Sequence, residues 1–310
     1  MDALGGRRVL VTGGSGFIGS RLSARLRSLG ADVYVTSRTG VDSASDDRRR
    51  LRADLASLDE TRVVFAAARP DLVFHLASRV TGGRELDLVQ ATLLDNLIAT
   101  VNVLMVATEG GNPRVVLAGS MEEPGFDGPI AVPPSPYAAA KWSASNYARM
   151  FHALYGLPVV NLRVFMVYGP GQGEPRLIPY VMRSLLRGEA PQLTSGTRAI
   201  DWVYVDDVVE AFVLASTTAG IEGELLDIGS GESVTIRRLV EKIVAMVDPE
   251  IDPVFGAVAD RPLETSNVAD VRRTEAKLDW RPATSLDDGL KATLEWLAQR
   301  QGIEPADASA

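Results

Sequence analysis

A glycine-rich turn near the N-terminus constrains the fold of this chain more than any other feature. It lies in VLVTGGSGFIGS (residues 9–20), where an apolar run leads into a helical pattern through glycines spaced as GxxGxxG. Glycines permit the tight turn and let the backbone approach a pyrophosphate, while the helix N-terminus offers N–H groups and a positive dipole. The motif therefore predicts a strand–turn–helix unit that binds a dinucleotide. The expected contacts are Gly13, Gly16, Phe17, Ile18 and Gly19.

Short apolar runs and helical patterns alternate along most of the chain. The runs are rich in β-branched residues and apolar on both faces, which is typical of strands covered on both sides of a parallel sheet. They occupy residues 7–12, 31–36, 71–76, 113–118, 157–164 and 224–228, with helical patterns near 17–29, 57–68, 86–108, 136–155, 206–217 and 235–247. The alternation predicts an α/β fold with a doubly wound parallel sheet (Rossmann), which binds ligands at the C-terminal ends of its strands.

A change of composition after Val164 indicates a second domain. The stretch YGPGQGEPRLIPY (168–180) is rich in Gly and Pro and interrupts the alternation of strands and helices. We predict a dinucleotide-binding domain, a smaller and irregular C-terminal substrate domain, and a flexible tail. Their respective ranges are 1–165 with 200–230, 166–199 with 231–302, and 303–310.

Charge and composition exclude several classes of function. The net charge is −8 and the isoelectric point is about 5.0, so nucleic acid is not an expected partner. The chain has no cysteine, and its two histidines, His75 and His152, lack the spacing of metal ligands, so we expect no metal site. Neither a signal peptide nor a membrane span is expected from the pattern of the first residues. These features predict a cytoplasmic protein with no membrane partner.

The helical pattern at residues 86–108 is apolar on nearly all sides. Such a helix is usually buried on two sides. One side would face the sheet, and the other, together with the helix that starts near Tyr137, would face a second subunit. The pattern therefore predicts a homodimer.

The end of the second strand indicates which dinucleotide is bound. An acidic residue there would hold the ribose 2′-hydroxyl of NAD, but the sequence has Ser37 and Arg38 instead. Arg38 could bind a 2′-phosphate through two hydrogen bonds, and Ser37 could add a hydroxyl. NADP(H) is therefore favoured over NAD(H). Asp54, in the short run ADL (53–55), is expected to meet the adenine.

A tyrosine and a lysine four residues apart supply candidate proton-transfer chemistry. Ser135 can cap a helix and Pro136 suits its first turn, which places Tyr137 and Lys141 on one face. The lysine ammonium would favour the tyrosinate, so Tyr137 could exchange a proton with a carbinol oxygen. The pair follows the GSMEE stretch that contains Ser120, downstream of the dinucleotide turn.

Together these motifs resemble the extended short-chain dehydrogenase/reductases of the nucleotide-sugar epimerase/dehydratase family. The resemblance covers roughly residues 7–298. Its matching segments are VTGGSGFIGS, ADL, FHLAS, DNLIATVNVL, AGSMEE, YAAAK, LRVFMVYGPG, WVYVDDVVEAF, LDIGSGESVTIRRL, ADRPLE and LDWRPATSLDDGL. It implies an enzyme that acts on a nucleotide-diphosphate sugar.

The resemblance also implies roles for single residues. Ser120 matches the catalytic Ser/Thr, Tyr137 the acid/base, and Lys141 the lysine that also holds the nicotinamide ribose. Further implied cofactor contacts are Leu55, Leu76, Ala77, Ser78 and Tyr137, and implied substrate contacts are Arg79, Ser120, Met121 and Arg261.

The chain departs from the family pattern in its substrate-binding residues. Met166 stands where relatives usually have an asparagine that contacts the nucleotide diphosphate. Ile200 replaces an arginine, so that the nearest one is Arg198. The nucleotide is therefore expected to be held differently.

A second departure concerns the reaction. Family dehydratases carry an acid and then a glutamate after the catalytic Ser/Thr, and here these positions hold Met121 and Glu122. A thioether cannot donate a proton, which disfavours dehydration, although Glu122 could still act as a base. The Arg38 signature and a central stretch similar to reductases of 4-keto-6-deoxy sugars favour NADPH-dependent reduction at the sugar C4. A 4-epimerase, a dehydratase that uses Glu122, and a non-catalytic NADP-binding sensor are the alternatives.

Overall fold

Six of the twelve strands in the described part of the chain match runs predicted from the sequence. The computed structural model describes residues 4–38, 49–124, 132–263 and 266–301, so the predicted tail 303–310 lies outside the described residues. Its strands are β1 (Arg8–Thr12), β2 (Asp32–Ser37), β3 (Arg50–Arg52), β4 (Leu72–His75), β5 (Arg114–Ser120), β6 (Val159–Val164), β7 (Met166–Tyr168), β8 (Gln192–Leu193), β9 (Ala199–Tyr204), β10 (Leu225–Ile228), β11 (Ser233–Thr235) and β12 (Val254–Phe255).

A seven-stranded sheet has the strand order β10-β6-β5-β4-β1-β2-β3. The pairs from β6 through to β3 run parallel. The strands β1, β4, β5 and β6 are buried at nearly every position, because helices cover both faces of the sheet. The predicted doubly wound α/β fold is confirmed. Sequence patterns did not predict β3, in which two exposed arginines flank the half-buried Leu51.

The six predicted helical segments begin and end close to their expected bounds, and three further helices, Leu177–Leu186, Val271–Leu278 and Leu286–Gln301, were not predicted. The helices are α1 (Phe17–Ser28), α2 (Leu58–Ala68), α3 (Leu88–Thr92), α4 (Ala99–Glu109), α5 (Pro136–Tyr155), α6 (Leu177–Leu186), α7 (Val205–Thr217), α8 (Ile236–Val247), α9 (Val271–Leu278) and α10 (Leu286–Gln301), with a π-helical stretch, Leu93–Ile98, between α3 and α4. In α5 the Ser135 side chain caps the first turn by accepting a hydrogen bond from the Ala138 N–H, and Gly156 ends the helix at φ 68°.

The apolar segment Leu88–Glu109 forms one continuous helix of 22 residues. Its length and its mean hydropathy of 1.5 would suffice to cross a membrane, but half of its most apolar part is buried inside the protein. Val103 and Leu104 pack in the core between this helix and the sheet, whereas Leu93 and Leu94 are apolar and exposed. The helix is therefore a core helix with one uncovered apolar side.

The chain divides into two compact units whose bounds differ from the predicted domains mainly at residues 200–208 and 272–280, and also at 165 and 228–230. The first unit comprises Met1–Val164, Val209–Asp227 and Arg272–Trp280, and the second comprises Phe165–Val208, Ile228–Val271 and Arg281–Ala310. Residues 200–208 join the second unit because β9 pairs with β7 and β11 in a separate three-stranded sheet. Residues 272–280 join the first unit, where Thr274 donates a hydrogen bond to the Asp227 carbonyl and Arg273 pairs with Glu224.

Candidate active site

The glycine turn between β1 and α1 fits a dinucleotide pyrophosphate. Gly13 has φ 68°, and a Cβ there would lie 2.8 Å from the Ala77 nitrogen, while a Cβ on Gly19 would collide with the Gly13 carbonyl oxygen. Gly16 caps α1 without a side-chain hydrogen bond, and the first turn of this helix holds no acidic residue. Its N–H groups and positive dipole are therefore available to an anion. The predicted contacts Phe17 and Ile18 are half-buried in that first turn.

At the end of β2, the predicted 2′-phosphate ligand Arg38 already has a partner. Its Nη1 lies 2.7 Å from Asp95 Oδ1, and half of the Arg38 side chain is exposed. Ser37 is half-buried beside it. Asp54 is exposed and closes a turn by accepting the Ala56 N–H, whereas the Leu55 side chain is buried in the core, which leaves only the Leu55 backbone for a cofactor.

The loop after β4 is fixed from within the core. Thr12 Oγ1 accepts the N–H groups of Leu76 and Ala77 at 3.2 Å, and it lies 2.8 Å from His75 Nδ1. Because both backbone groups donate to Thr12, its own hydrogen is directed to the imidazole, whose Nε2 meets Thr100 at 3.0 Å. Burial lowers the pKa of His75 to about 3. His75 is therefore a neutral, hydrogen-bonded residue of the core.

Asn96 holds the next part of the same loop. Its Oδ1 accepts hydrogen bonds from the Ser78 hydroxyl at 3.1 Å and the Arg79 N–H at 2.7 Å, and its Nδ2 donates to the Arg79 carbonyl. Asn96 is fully buried in the π-helical stretch, a local widening that often marks functional sites. The sequence does not single out Asn96 within the segment DNLIATVNVL, because a π-helix has no recognisable periodicity in the sequence.

The predicted catalytic residues lie together in the first unit. Ser120 ends β5, and its Oγ accepts the Glu122 N–H at 3.2 Å, while its hydroxyl hydrogen has no acceptor within the described residues. Tyr137 and Lys141 are both buried, one helical turn apart on α5. Lys141 Nζ donates to the Ala118 carbonyl at 2.7 Å, which ties this helix to the strand of Ser120. Burial lowers the pKa of Lys141 to about 8, a shift that a nearby carboxylate partly opposes.

The two residues after Ser120 have distinct structural surroundings. Glu122 Oε2 accepts the Ser135 hydroxyl at 3.1 Å, and the same hydroxyl caps α5. Glu122 is therefore linked to the helix of Tyr137 and is not an isolated loop acid. Met121 is buried, and its N–H donates to the Val164 carbonyl at 3.0 Å.

Glu123, to which sequence reasoning gave no role, is the most deeply buried acid in this part of the site. Its Oε1 accepts the Ser120 N–H and its Oε2 accepts the Ser145 hydroxyl, both at 2.7 Å. Ser145 in turn accepts the side-chain amide of Asn161 at 2.6 Å. The Glu123 carboxyl thus fixes the backbone of Ser120. Nothing in the sequence distinguishes the buried Glu123 from its half-buried neighbour Glu122.

The surroundings of Glu123 favour its protonated form. Burial raises the pKa of Glu123 to about 7, although its hydrogen bonds and the charges of Lys141 and Arg163 act in the opposite direction. Within the described residues the buried Asn161 Oδ1 has no hydrogen-bond donor. A Cβ on Gly119 would stand 2.7 Å from this oxygen and 2.8 Å from Glu123 Oε1, so both oxygens face the same glycine.

The predicted substrate contacts other than Arg79, Ser120 and Met121 belong to the second unit. Met166 is half-buried in β7, where it pairs with Trp202. Arg198 is half-buried just before β9, and Arg261 is exposed. Their roles toward a substrate stay predictions.

Comparisons with known proteins agree with these features. The model of the NAD dependent epimerase/dehydratase family matches residues 9–229. A UDP-glucose 4-epimerase of Mycolicibacterium smegmatis is 32% identical over 94% of this chain and 99% of its own length. A probable dTDP-glucose 4,6-dehydratase of Sinorhizobium fredii is 30% identical over 93% of this chain and 92% of its own. The structure of MoeE5 in complex with UDP-glucose and NAD has a TM-score of 0.82 and 32% identity, covering 94% of this chain and 99% of that one.

Proposed function

The chain belongs to the NAD dependent epimerase/dehydratase family of enzymes, and from this membership we propose that it catalyses hydride transfer at C4 of a nucleotide-diphosphate sugar. We propose NADPH-dependent reduction of a 4-keto-6-deoxyhexose as the principal reaction. The cofactor when bound supplies the hydride, and the side chains of this chain hold and move the proton. A relative that binds UDP-glucose and NAD supports this class of ligands.

The observation that carries the proposal is the arrangement of Ser120, Tyr137 and Lys141. The Ser120 hydroxyl has its lone pair occupied by the Glu122 N–H and its hydrogen available, as required to donate a hydrogen bond to a developing alkoxide. Tyr137 is buried in the first turn of α5, and we propose that it passes its phenolic hydrogen to that oxygen. Lys141, one turn further along the same helix, would compensate the tyrosinate charge.

The same geometry speaks against dehydration. A dehydratase needs an acid for the departing hydroxyl, and the candidate position holds the buried thioether of Met121. Glu122, the remaining carboxyl, is engaged with the Ser135 cap of α5. Both observations favour plain redox chemistry at C4 over elimination.

A 4-epimerase is the second candidate. It is supported by the 32% identity to a UDP-glucose 4-epimerase and by the ion pair that occupies Arg38, the residue on which the NADP(H) preference depends. An epimerase oxidises and re-reduces the same carbon and regenerates its cofactor, whereas a reductase consumes NADPH.

One assay separates the two reactions. The purified protein is denatured and any released dinucleotide is identified. NADPH is then offered with an NDP-4-keto-6-deoxyhexose and, separately, with an NDP-hexose. We expect loss of NADPH absorbance only with the ketone. Equilibration of C4 epimers without added cofactor, together with co-purified NAD, would replace the reductase by the epimerase.

The uncovered apolar side of the helix Leu88–Glu109 supports a homodimer. Val89, Leu93 and Leu94 are exposed there, and Leu154 is exposed on α5, which packs against the π-helical stretch. Burying such a face against a second copy would remove apolar surface from water. The exposed apolar residues of the helix Leu88–Glu109 and of α5 therefore favour a symmetric dimer.

Changing Leu93 and Leu94 together to lysine is expected to convert the dimer to a monomer, because four lysines per dimer would have to be desolvated at the interface. Sedimentation equilibrium should shift from twice 33.2 kDa to 33.2 kDa. Val63→Lys on α2, at a position 69% exposed, is the matched control and should leave the mass unchanged. A monomeric unmodified protein at micromolar concentration would refute the dimer.

A further inference from the structure

We propose that Asp95 is a specificity-determining residue for the cofactor: its carboxylate occupies Arg38 and so weakens the affinity for a dinucleotide with a 2′-phosphate. The inference rests on the proposed binding of NADP(H) and adds to it a residue of another element. The glycine turn between β1 and α1 already fits the pyrophosphate that NAD(H) and NADP(H) share. Discrimination must therefore come from groups at the adenosine ribose, near the end of β2.

The geometry joins three charged side chains from three segments. Asp95 Oδ1 lies 2.7 Å from Arg38 Nη1, and Asp95 Oδ2 lies 2.6 Å from Arg79 Nε. The Asp95 side chain is only 12% exposed, whereas that of Arg38 is 50% exposed. Asp95 is thus fixed by its burial in the π-helical stretch and by Arg79, and Arg38 is the partner with freedom to move.

This arrangement supplies an acid that β2 itself lacks. The sequence after β2 shows a serine and an arginine, which alone favour a 2′-phosphate. The carboxylate belongs to Asp95 in the π-helical stretch, 57 residues after Arg38 in the chain. The sequence around β2 therefore gives no sign of it. Two arginines and one aspartate carry a combined charge of +1, so a 2′-phosphate would have to share Arg38 with Asp95.

Removing the negative charge should strengthen phosphate binding. At the partly screened distances of this cluster, one elementary charge changes the affinity for a 2′-phosphate by on the order of tenfold. Asp95→Asn is the suitable change, since asparagine keeps the length of the side chain and a hydrogen-bond acceptor for Arg38. A ligand without the 2′-phosphate should be nearly unaffected.

Isothermal titration calorimetry with 2′,5′-ADP and with ADP tests this without any turnover. D95N is expected to bind 2′,5′-ADP about tenfold more tightly and ADP within about twofold of the unmodified protein. D32N is the matched control, because Asp32 pairs with Arg49 at the opposite end of β2, and it should change neither affinity. R38M should weaken 2′,5′-ADP binding at least tenfold, and D95N should strengthen that binding less in the R38M background than in the unmodified protein, because no arginine is released there.

The outcomes distinguish a failure of the proposed role of Asp95 from a failure of the proposed NADP(H) preference. If R38M weakens 2′,5′-ADP selectively but D95N leaves the ratio of the two affinities unchanged, Asp95 has no such role and the NADP(H) preference stands. If R38M also leaves the ratio unchanged, the NADP(H) preference itself falls. An unchanged ADP affinity in each variant shows that the binding site is still folded.

Discussion

Replacing Tyr137 by phenylalanine is expected to lower kcat for C4 reduction by about 10²- to 10⁴-fold, the range that a positioned general acid contributes. Phenylalanine keeps the buried ring but has no hydroxyl to protonate the alkoxide. Binding of the dinucleotide should change little, because the glycine turn and the loop after β4 are untouched. Steady-state kinetics with NADPH and calorimetry of the cofactor together measure both quantities.

Tyr147→Phe is the matched control for this change. Tyr147 lies on the same helix but is 42% exposed, so its hydroxyl has no place in the proposed proton transfer. It should keep kcat within about twofold. If Tyr137→Phe retained full turnover, Tyr137 would not be the acid, and retention of full cellular function by that variant would favour a non-catalytic NADP-binding role.

Replacing Glu123 by glutamine is expected to change how stability depends on pH. The folded pKa of about 7 lies above the ordinary value of 4.5, so the folded state retains a proton that the unfolded state releases. Stability from this group is complete below pH 4.5 and is lost as the pH rises through 7. Between pH 5 and 8 the loss amounts to roughly 2–3 kcal/mol in the unmodified protein and is absent in the variant.

Urea denaturation at pH 5, 6, 7 and 8 measures the effect. At pH 5 the two proteins should be about equally stable, because the protonated carboxyl and the amide each offer one carbonyl oxygen as an acceptor. By pH 8 the variant should be the more stable protein, because only the unmodified protein has lost the contribution of the Glu123 proton. If the free energy of unfolding depended on pH in the same way in both proteins, Glu123 would not hold a proton in the folded state.

Much of the fold, and the positions of the candidate catalytic residues within it, could be predicted because those signals are local. The turn at Gly13 to Gly19 and the cap of α5 by Ser135 each depend on residues within a few positions of one another. The spacing of Tyr137 and Lys141 is likewise fixed by a single helix. Periodicity and short-range hydrogen bonding suffice for such features.

The features that sequence missed depend on contacts between distant segments. Asp95 reaches Arg38 only because a π-helical stretch places it there, and Glu123 is distinguished from Glu122 only by its burial against Ser145 and Asn161. Residues 200–208 were predicted in the dinucleotide-binding domain, yet pairing of β9 with β7 and β11 draws them into the second unit. None of these partners lies within the short windows that sequence patterns cover.

The side chains that hold Ser120 and Lys141 all come from one compact unit, and this has a consequence for how such an enzyme can diversify. Mutations in Phe165–Val208 or Ile228–Val271, where Met166, Arg198 and Arg261 lie, leave every one of those hydrogen bonds in place. Substitutions at the substrate contacts that we predict in the second unit can therefore accumulate without disturbing the hydrogen bonds of the first. Met166 and Ile200, where the sequence departs from the family resemblance, both lie in that second unit.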